Sequence, residues 1–423
     1  MVQNNINIEK NLIFKIIFAL FLFVIALCVF DIENSLLYAY LGVYFSLLML
    51  AFYVSKHWLS TLTLFSVFYS IFAFGYVFVY LENVVLLYNV FTVVLVPYSI
   101  LIASYSFARR VKTDAKTRRR KSIRIKNILM KKTNLLIATF CFSSIAFILY
   151  FIKNRALLFG GTLNESRIDA MSGNGLLLYI MELSEITVPL LYEQRIKGNI
   201  SAIKFNIIIV LAAAELLITG FRTPTVTMLI VTIIVAVFNG KIKLKKVITL
   251  VFSLLLAATI FGAFRNGMEI NAYAILKNFC YTGMYNLNKM FRTFPDKHPF
   301  QWGYTYFINL IMLKPGPDLD FTLWLKEMVG ATFAGGGITP TVIGEFYINF
   351  GYPGIYIGMF VLGLLFSKCD RWVEKNNYSA WCSFIMLELA SCNGGGIANI
   401  YVLPLVATLY FGILKVFEAN SRG

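Results

Sequence analysis

Charge is what this chain has least of. Asp, Glu, Lys and Arg together make up 14% of its 423 residues, against roughly 25% in an ordinary soluble domain. A chain so poor in charge and rich in apolar residues is neither a soluble globular protein nor a disordered one. Histidine is scarcer still. His57 and His298 are the only two, too few to build a histidine metal site. The six cysteines (Cys28, Cys141, Cys280, Cys369, Cys382, Cys392) form no CxxC pair and no Cys/His cluster. They read as small apolar fillers, which excludes a zinc site, a redox centre and a secreted disulfide scaffold. No Walker A, GxSxG or HExxH sequence occurs, which argues against ATP as an energy source on this chain.

What the chain has is apolar length. Hydrophobic residues make up 59%, and the mean hydropathy is +0.73. A bilayer core about 30 Å thick takes about 20 apolar residues per helix. Twelve apolar stretches are found near 11–30, 36–54, 58–80, 84–106, 134–152, 175–192, 205–220, 223–239, 247–264, 346–366, 378–392 and 397–414. They predict an all-α polytopic integral membrane protein of about 12 transmembrane helices. Nine spans fall in 1–264, an extracytoplasmic segment in 265–345, and three spans in 346–423. The first stretch is not a cleavable signal, because it lacks a small-residue cleavage site and runs into Asp31.

The net charge of +17 gains its meaning from its placement. Segment 107–132 carries twelve basic residues. With the N-terminus inside, this segment and most of the other Lys and Arg fall on the cytoplasmic side, as the positive-inside rule requires. Both termini are then cytoplasmic. The basic run is a topology anchor beside anionic lipid and not a nucleic-acid surface.

Eleven of the 38 basic residues break the rule and fall outside. Arg155 and Arg167 lie in the loop 153–174, Arg222 in a short turn, and Arg265 and Arg292 in or next to the long segment. Arg presents a planar fork that matches phosphate oxygens two at a time, so these residues suit a diphosphate head group whose tail lies in the bilayer. Lys277, Lys289, Lys314 and Lys326 read as charges a long loop tolerates. Within 271–293, Tyr273, Leu276, Phe279, Met284, Leu287, Met290 and Phe291 recur near three- and four-residue spacing. They predict an amphipathic helix on the membrane surface. Turn-rich stretches around Pro295, Pro299, Pro315 and Pro317 follow, so 265–345 reads as a small helical cap between spans 9 and 10. Glu182, Glu185, Glu215 and Glu388 fall inside apolar stretches. A carboxylate there is costly and is a functional candidate, or one half of an ion pair. Asp318-Leu319-Asp320 has a DxD form and Gly335-Gly336-Gly337 the form of an anion nest, both weak patterns, and no metal site is assigned.

The stretch Gly344-Glu345-Phe346-Tyr347-Ile348-Asn349-Phe350-Gly351-Tyr352-Pro353-Gly354 puts a carboxylate at the mouth of the tenth span. Together with Gly220-Phe221-Arg222-Thr223-Pro224 and Phe264-Arg265-Asn266, it resembles the oligosaccharide repeat-unit polymerases, the O-antigen polymerase family of bacterial envelopes. The resemblance implies a cofactor-free, metal-independent glycosyl transfer at the outer face of the bacterial cytoplasmic membrane. Donor and acceptor would be oligosaccharides on undecaprenyl diphosphate, and a chain-length regulator would be a partner. It also implies that Arg222 and Arg265 hold the diphosphate; Arg155, Arg167 and Arg292, also placed outside, are second choices for that role. Glu345 would be the base or a structural partner of an arginine, and His298 the alternative base. Tyr304, Trp302 and Trp324 would stack on sugars or anchor at the interface. Two other readings stay open: an envelope ligase that moves finished glycan to another acceptor, and a flippase or transporter. The absence of related halves argues against the transporter.

Overall fold

The computed structural model describes residues 34–55, 57–110, 133–160, 173–219, 222–242, 272–314, 320–333 and 336–420, with a few isolated positions besides. Helix is the regular structure throughout, and no strand occurs among the described residues. In chain order come α1 (Ser35–Val54), α2 (Thr61–Leu81), a π-helical turn (Phe91–Leu95) leading into α3 (Val96–Arg110), and α4 (Thr133–Gly160). Then follow α5 (Gly175–Glu182), α6 (Ser184–Ile196), α7 (Ala202–Ile218), α8 (Arg222–Phe238) and α9 (Ala272–Thr293). A 3₁₀ stretch (Tyr304–Leu313) precedes α10 (Phe321–Met328), α11 (Val342–Lys375) and α12 (Ala380–Ala390). Two single turns, α13 (Cys392–Gly395) and α14 (Ile397–Ile400), lead into α15 (Val402–Asn420).

Among the described residues, seven helices are long and apolar enough to cross a membrane: α1, α2, Phe91–Arg110, Thr133–Arg155, Gly175–Ile196, α11 and Ile397–Leu414. They are the helices of a polytopic membrane protein. Three more of the twelve expected stretches are helical but shorter. With 17 residues each, α7 and α8 reach about 26 Å, and the 11 residues of α12 only about 16 Å. The expected spans 11–30 and 247–264 lie outside the described residues, as do 111–132 of the basic loop, Arg167 and Arg265.

The fourth expected span starts late, at Phe91 and not at 84, for a local reason. α2 ends in a Schellman motif. Asn83 takes the left-handed conformation (φ 53°), its N–H donates to Tyr80 O and that of Val84 to Val79 O, both at 3.0 Å. Those bonds satisfy carbonyls that the helix end would otherwise leave open, and 84–90 becomes a loop. Ser60 closes the other end, its hydroxyl accepting from Thr63 N at 3.1 Å.

Two cores pack side by side. One joins α1, α2, α3, α9 and α11, the other α4, α6, α7, α8, α12 and α15. Leu64 and Phe68 of α2 touch both. The first core is rich in tyrosine, and buried hydroxyls there find partners, as burial demands. Tyr40 donates to Ala73 O (3.0 Å), Tyr69 to Val94 O (2.7 Å) and Tyr98 to Ser66 Oγ (2.7 Å).

The bundle has two distinct ends. α3 and α11 run parallel: Tyr356 donates to Thr92 O near their starts, and Arg371 to Ala108 O near their finish. At the finishing end Asp370 is buried and accepts from Thr61 N (2.7 Å), Thr61 Oγ1 (2.5 Å) and Tyr105 OH (2.7 Å). Arg109 bonds Tyr105 OH and grips Glu374 with both terminal nitrogens, at 3.3 and 2.6 Å. The expected lipid anchor Arg109 is thus also a structural clamp. Phe238 of α8 stacks on Tyr378 here, and Glu193 of α6 accepts from Ala380 N. The C-termini of α3, α6, α8 and α11 therefore share one end with the start of α12, and the basic segment follows from it.

α9 is the expected helix, but it lies along α2. Met284, Leu287, Met290 and Phe291 are buried, while Tyr273, Leu276 and Phe279 are exposed. Near its start α11 kinks at Gly351, whose φ of 64° only glycine adopts freely. Pro353 follows and removes a backbone donor from the same turn.

A carboxylate junction opposite the basic end

Eleven residues of α12 cannot cross a bilayer core, and the chain then breaks at Ser391 to Tyr401. Irregular backbone at such depth must have its polar groups met from within the protein. Side chains do that here. Glu345, fully buried in the first turn of α11, accepts from Ile397 N on Oε2 and from Ala398 N on Oε1 at 3.2 Å. Thr305 Oγ1 also reaches Oε1, at 3.4 Å. Asn309 donates to Ala398 O at 3.2 Å and to Asn399 Oδ1, and its own Oδ1 accepts from Phe321 N at 2.7 Å. Asn399 donates to Gly395 O at 2.8 Å, and Asn393 to Phe68 O at 3.3 Å.

Asn349 ties in the next layer. Its amide donates to Thr305 Oγ1 (2.6 Å) and Glu345 O (2.8 Å), and its oxygen accepts from Gly303 N (2.8 Å). Tyr401 donates to Tyr306 O at 2.7 Å. Burial, and after it the Glu345 carboxyl, push the Tyr306 phenol above its ordinary range. The sequence marked Glu345 but not Thr305, Asn309, Asn349 or Asn399. The triplet Gly394-Gly395-Gly396 was their signal, since a glycine run inside an apolar stretch exposes backbone that something must bond. At Gly396 (φ 77°) any Cβ would fall against Glu345 Oε2.

A second acidic group lies at the same end. α12 starts where α6 finishes, so the two run antiparallel, and Glu388 comes level with Glu185. Glu185 interacts electrostatically with Glu182 and Glu388, and Glu388 with Glu182. Tyr179 interacts with Glu182, Asp320 and Tyr401, which links this group to the Glu345 junction. Among the described residues no donor bonds the three carboxylates. Glu215, on α7, is not part of the group.

The expected site residues divide. Arg222 is the first residue of α8. Because α8 finishes with Phe238 on Tyr378 at the basic end, that N-terminus lies towards the opposite end. Arg155 and Arg292 are exposed, near the ends of α4 and α9. His298 is half-buried with its ring 6.1 Å from Phe294, and no contact joins it to Glu345. Tyr304 is exposed with its ring 6.3 Å from Trp324; its neighbour Thr305 makes the bond to Glu345. Trp302 is exposed beside Phe350. Asp320 caps α10, its Oδ1 accepting from Leu323 N at 2.8 Å, while Asp318 and Gly335 lie outside the described residues. Among the described residues no three His, Cys, Asp or Glu side chains come together as metal ligands would.

Compared with known protein families, the chain matches the one described as O-antigen polysaccharide polymerase Wzy over residues 11–391. No curated protein and no solved structure matches it.

Proposed function

The chain belongs to the O-antigen polysaccharide polymerase Wzy family, and on that premise we propose that it joins oligosaccharide repeat units carried on undecaprenyl diphosphate. The family match over 11–391 is the observation that carries this reading. The reaction takes place at the outer face of the bacterial cytoplasmic membrane, with both termini inside. The separation of the two ends supports that sidedness: basic residues gather at one, and the buried carboxylates and the start of α8 lie at the other.

An acceptor hydroxyl on one lipid-linked unit attacks the anomeric carbon of a glycan on another. The bond to the diphosphate oxygen breaks, and undecaprenyl diphosphate leaves with the electron pair. Negative charge grows on that oxygen, so fixed guanidinium groups stabilise the transition state more than the ground state. We assign that role to Arg222 and Arg265, with Arg155, Arg167 and Arg292 as further contacts and Tyr304 as a sugar platform. The Glu345 oxygens are taken up by Ile397, Ala398 and Thr305, which suits a positioning residue. We assign the proton of the attacking hydroxyl to the Glu182, Glu185 and Glu388 group. The transfer needs no metal, and a chain-length regulator is the expected partner.

The test is reconstitution. Purified protein in lipid nanodiscs, given a lipid-linked repeat unit, yields a ladder of longer glycans. One transfer to an unrelated acceptor, with no ladder, would assign a ligase. Movement of the substrate across proteoliposomes without a new bond would assign a flippase.

A further inference from the structure

A cavity of about 480 Å³ opens beside the end of α2, within the ~300–1,000 Å³ of small-molecule sites. Its walls include Tyr76, Tyr80, Asn83, Tyr88, Asn89 and Phe91, and every described residue lining it is uncharged. The Schellman turn builds one wall, and Asn83 at its left-handed position lines the cavity. Asn89 builds another: its Oδ1 accepts from Phe91 N at 2.9 Å and starts the π-helical turn. Tyr76 is fixed from behind by Tyr40, with ring centroids 4.6 Å apart, and Tyr88 packs on Phe291 at 4.7 Å. The cavity is therefore preformed, on ordered elements. It lies at the end where α2 finishes and the Phe91–Arg110 span starts, the same end as the start of α11.

We propose that this cavity is a binding subsite for uncharged sugar residues of the glycan, separate from the groups that hold the diphosphate. The proposal rests on the polymerase reading for the identity of the glycan. Aromatic ring faces carry negative charge density that meets the C–H face of a pyranose. Asparagine amides both donate and accept, as sugar hydroxyls do. A diphosphate would find no cation among the described wall residues. The nearby Lys277 is bonded by Glu82, which holds its ammonium above the usual range. A hydrocarbon tail would leave the polar amides of Asn83 and Asn89 facing apolar atoms, which is costly. A sugar subsite away from the bond being made would hold the growing chain while its lipid end is exchanged.

The test uses the full-length protein in nanodiscs and two probes. One is the repeat-unit oligosaccharide freed from its lipid, the other undecaprenyl monophosphate without sugar. Hydrogen exchange of residues 79–91 is expected to slow with the oligosaccharide and to stay unchanged with the lipid phosphate. Asn83→Gly keeps the left-handed turn and removes the amide. It is expected to abolish the slowing and to raise KM for the lipid-linked unit about tenfold at unchanged kcat, the size of one lost hydrogen bond. Slowing by the lipid phosphate alone would make this a lipid site. Absence of slowing with the oligosaccharide, or full slowing in Asn83→Gly, would equally overturn the proposal. Ladder formation by the same preparation is read independently, so a protein that polymerises without protecting 79–91 loses the subsite and keeps its function. One that protects 79–91 without polymerising does the reverse.

Discussion

Substitution of Glu345 separates a positioning carboxylate from a catalytic base. In Glu345→Ala the amides of Ile397 and Ala398 lose their acceptor inside the protein. A buried donor left unsatisfied costs about 1–3 kcal/mol, so the pair costs about 2–6 kcal/mol before any cavity is counted. Glu345→Gln keeps one oxygen and turns an NH₂ group towards the other amide, so about half of that loss is expected. The assay has two arms on each purified variant: thermal unfolding in detergent followed by tryptophan fluorescence, and glycan ladder formation well below the unfolding range. The structure predicts the stability order wild type, then Gln, then Ala. It also predicts that Glu345→Gln keeps activity within about tenfold at low temperature. Removal of a general base typically costs about 10²–10⁴-fold. A Gln variant as stable as wild type, but slower by that factor, would refute the positioning role and restore Glu345 as the base.

Further outcomes follow from the same geometry. Gly396→Ala is expected to destabilise the break by about 1–3 kcal/mol, since it adds strain at a positive φ and a clash with Glu345; an unchanged melting curve would count against the tight approach. Asp370→Ala strips the acceptor from Thr61 N and Tyr105 OH and is expected to cost about 2–6 kcal/mol with little effect on kcat in the surviving protein, read by the same unfolding assay. Arg222→Lys keeps the charge and loses the two-pronged grip, so kcat/KM is expected to fall at least about tenfold without loss of stability; full activity would remove Arg222 from the site. Excess chelator is expected to leave the rate unchanged, and a collapse restored by Mg²⁺ would overturn the metal-free transfer.

Hydropathy made the helices legible, because a bilayer imposes a length and an apolar composition that a single sequence displays. Ten of the twelve expected stretches coincide with described helices, and α9 occupies the segment its periodicity marked. Partnership was not legible. Glu345 meets Ile397 52 residues along the chain, and Asp370 meets Thr61 309 residues away. Periodicity shows which face of a helix is apolar but not which helix ends come together. The Gly394-Gly395-Gly396 run falls between the expected stretches 378–392 and 397–414, where four residues suit a hairpin. Only the shortness of α12 shows that the helix stops there, where the amides of Ile397 and Ala398 need Glu345. The late start of the Phe91–Arg110 span is a capping effect, and Asn83 was its one visible sign.

The central claim is that each new glycosidic bond is made at the expense of one bond to a lipid diphosphate. Counting both in a single reaction tests it most directly: glycan length by mass spectrometry, and released undecaprenyl diphosphate by chromatography, with wild-type protein and one defined lipid-linked repeat unit. One lipid diphosphate set free for every repeat unit added is the predicted ratio. Substrate translocated with no lipid diphosphate released and no repeat units joined would contradict it.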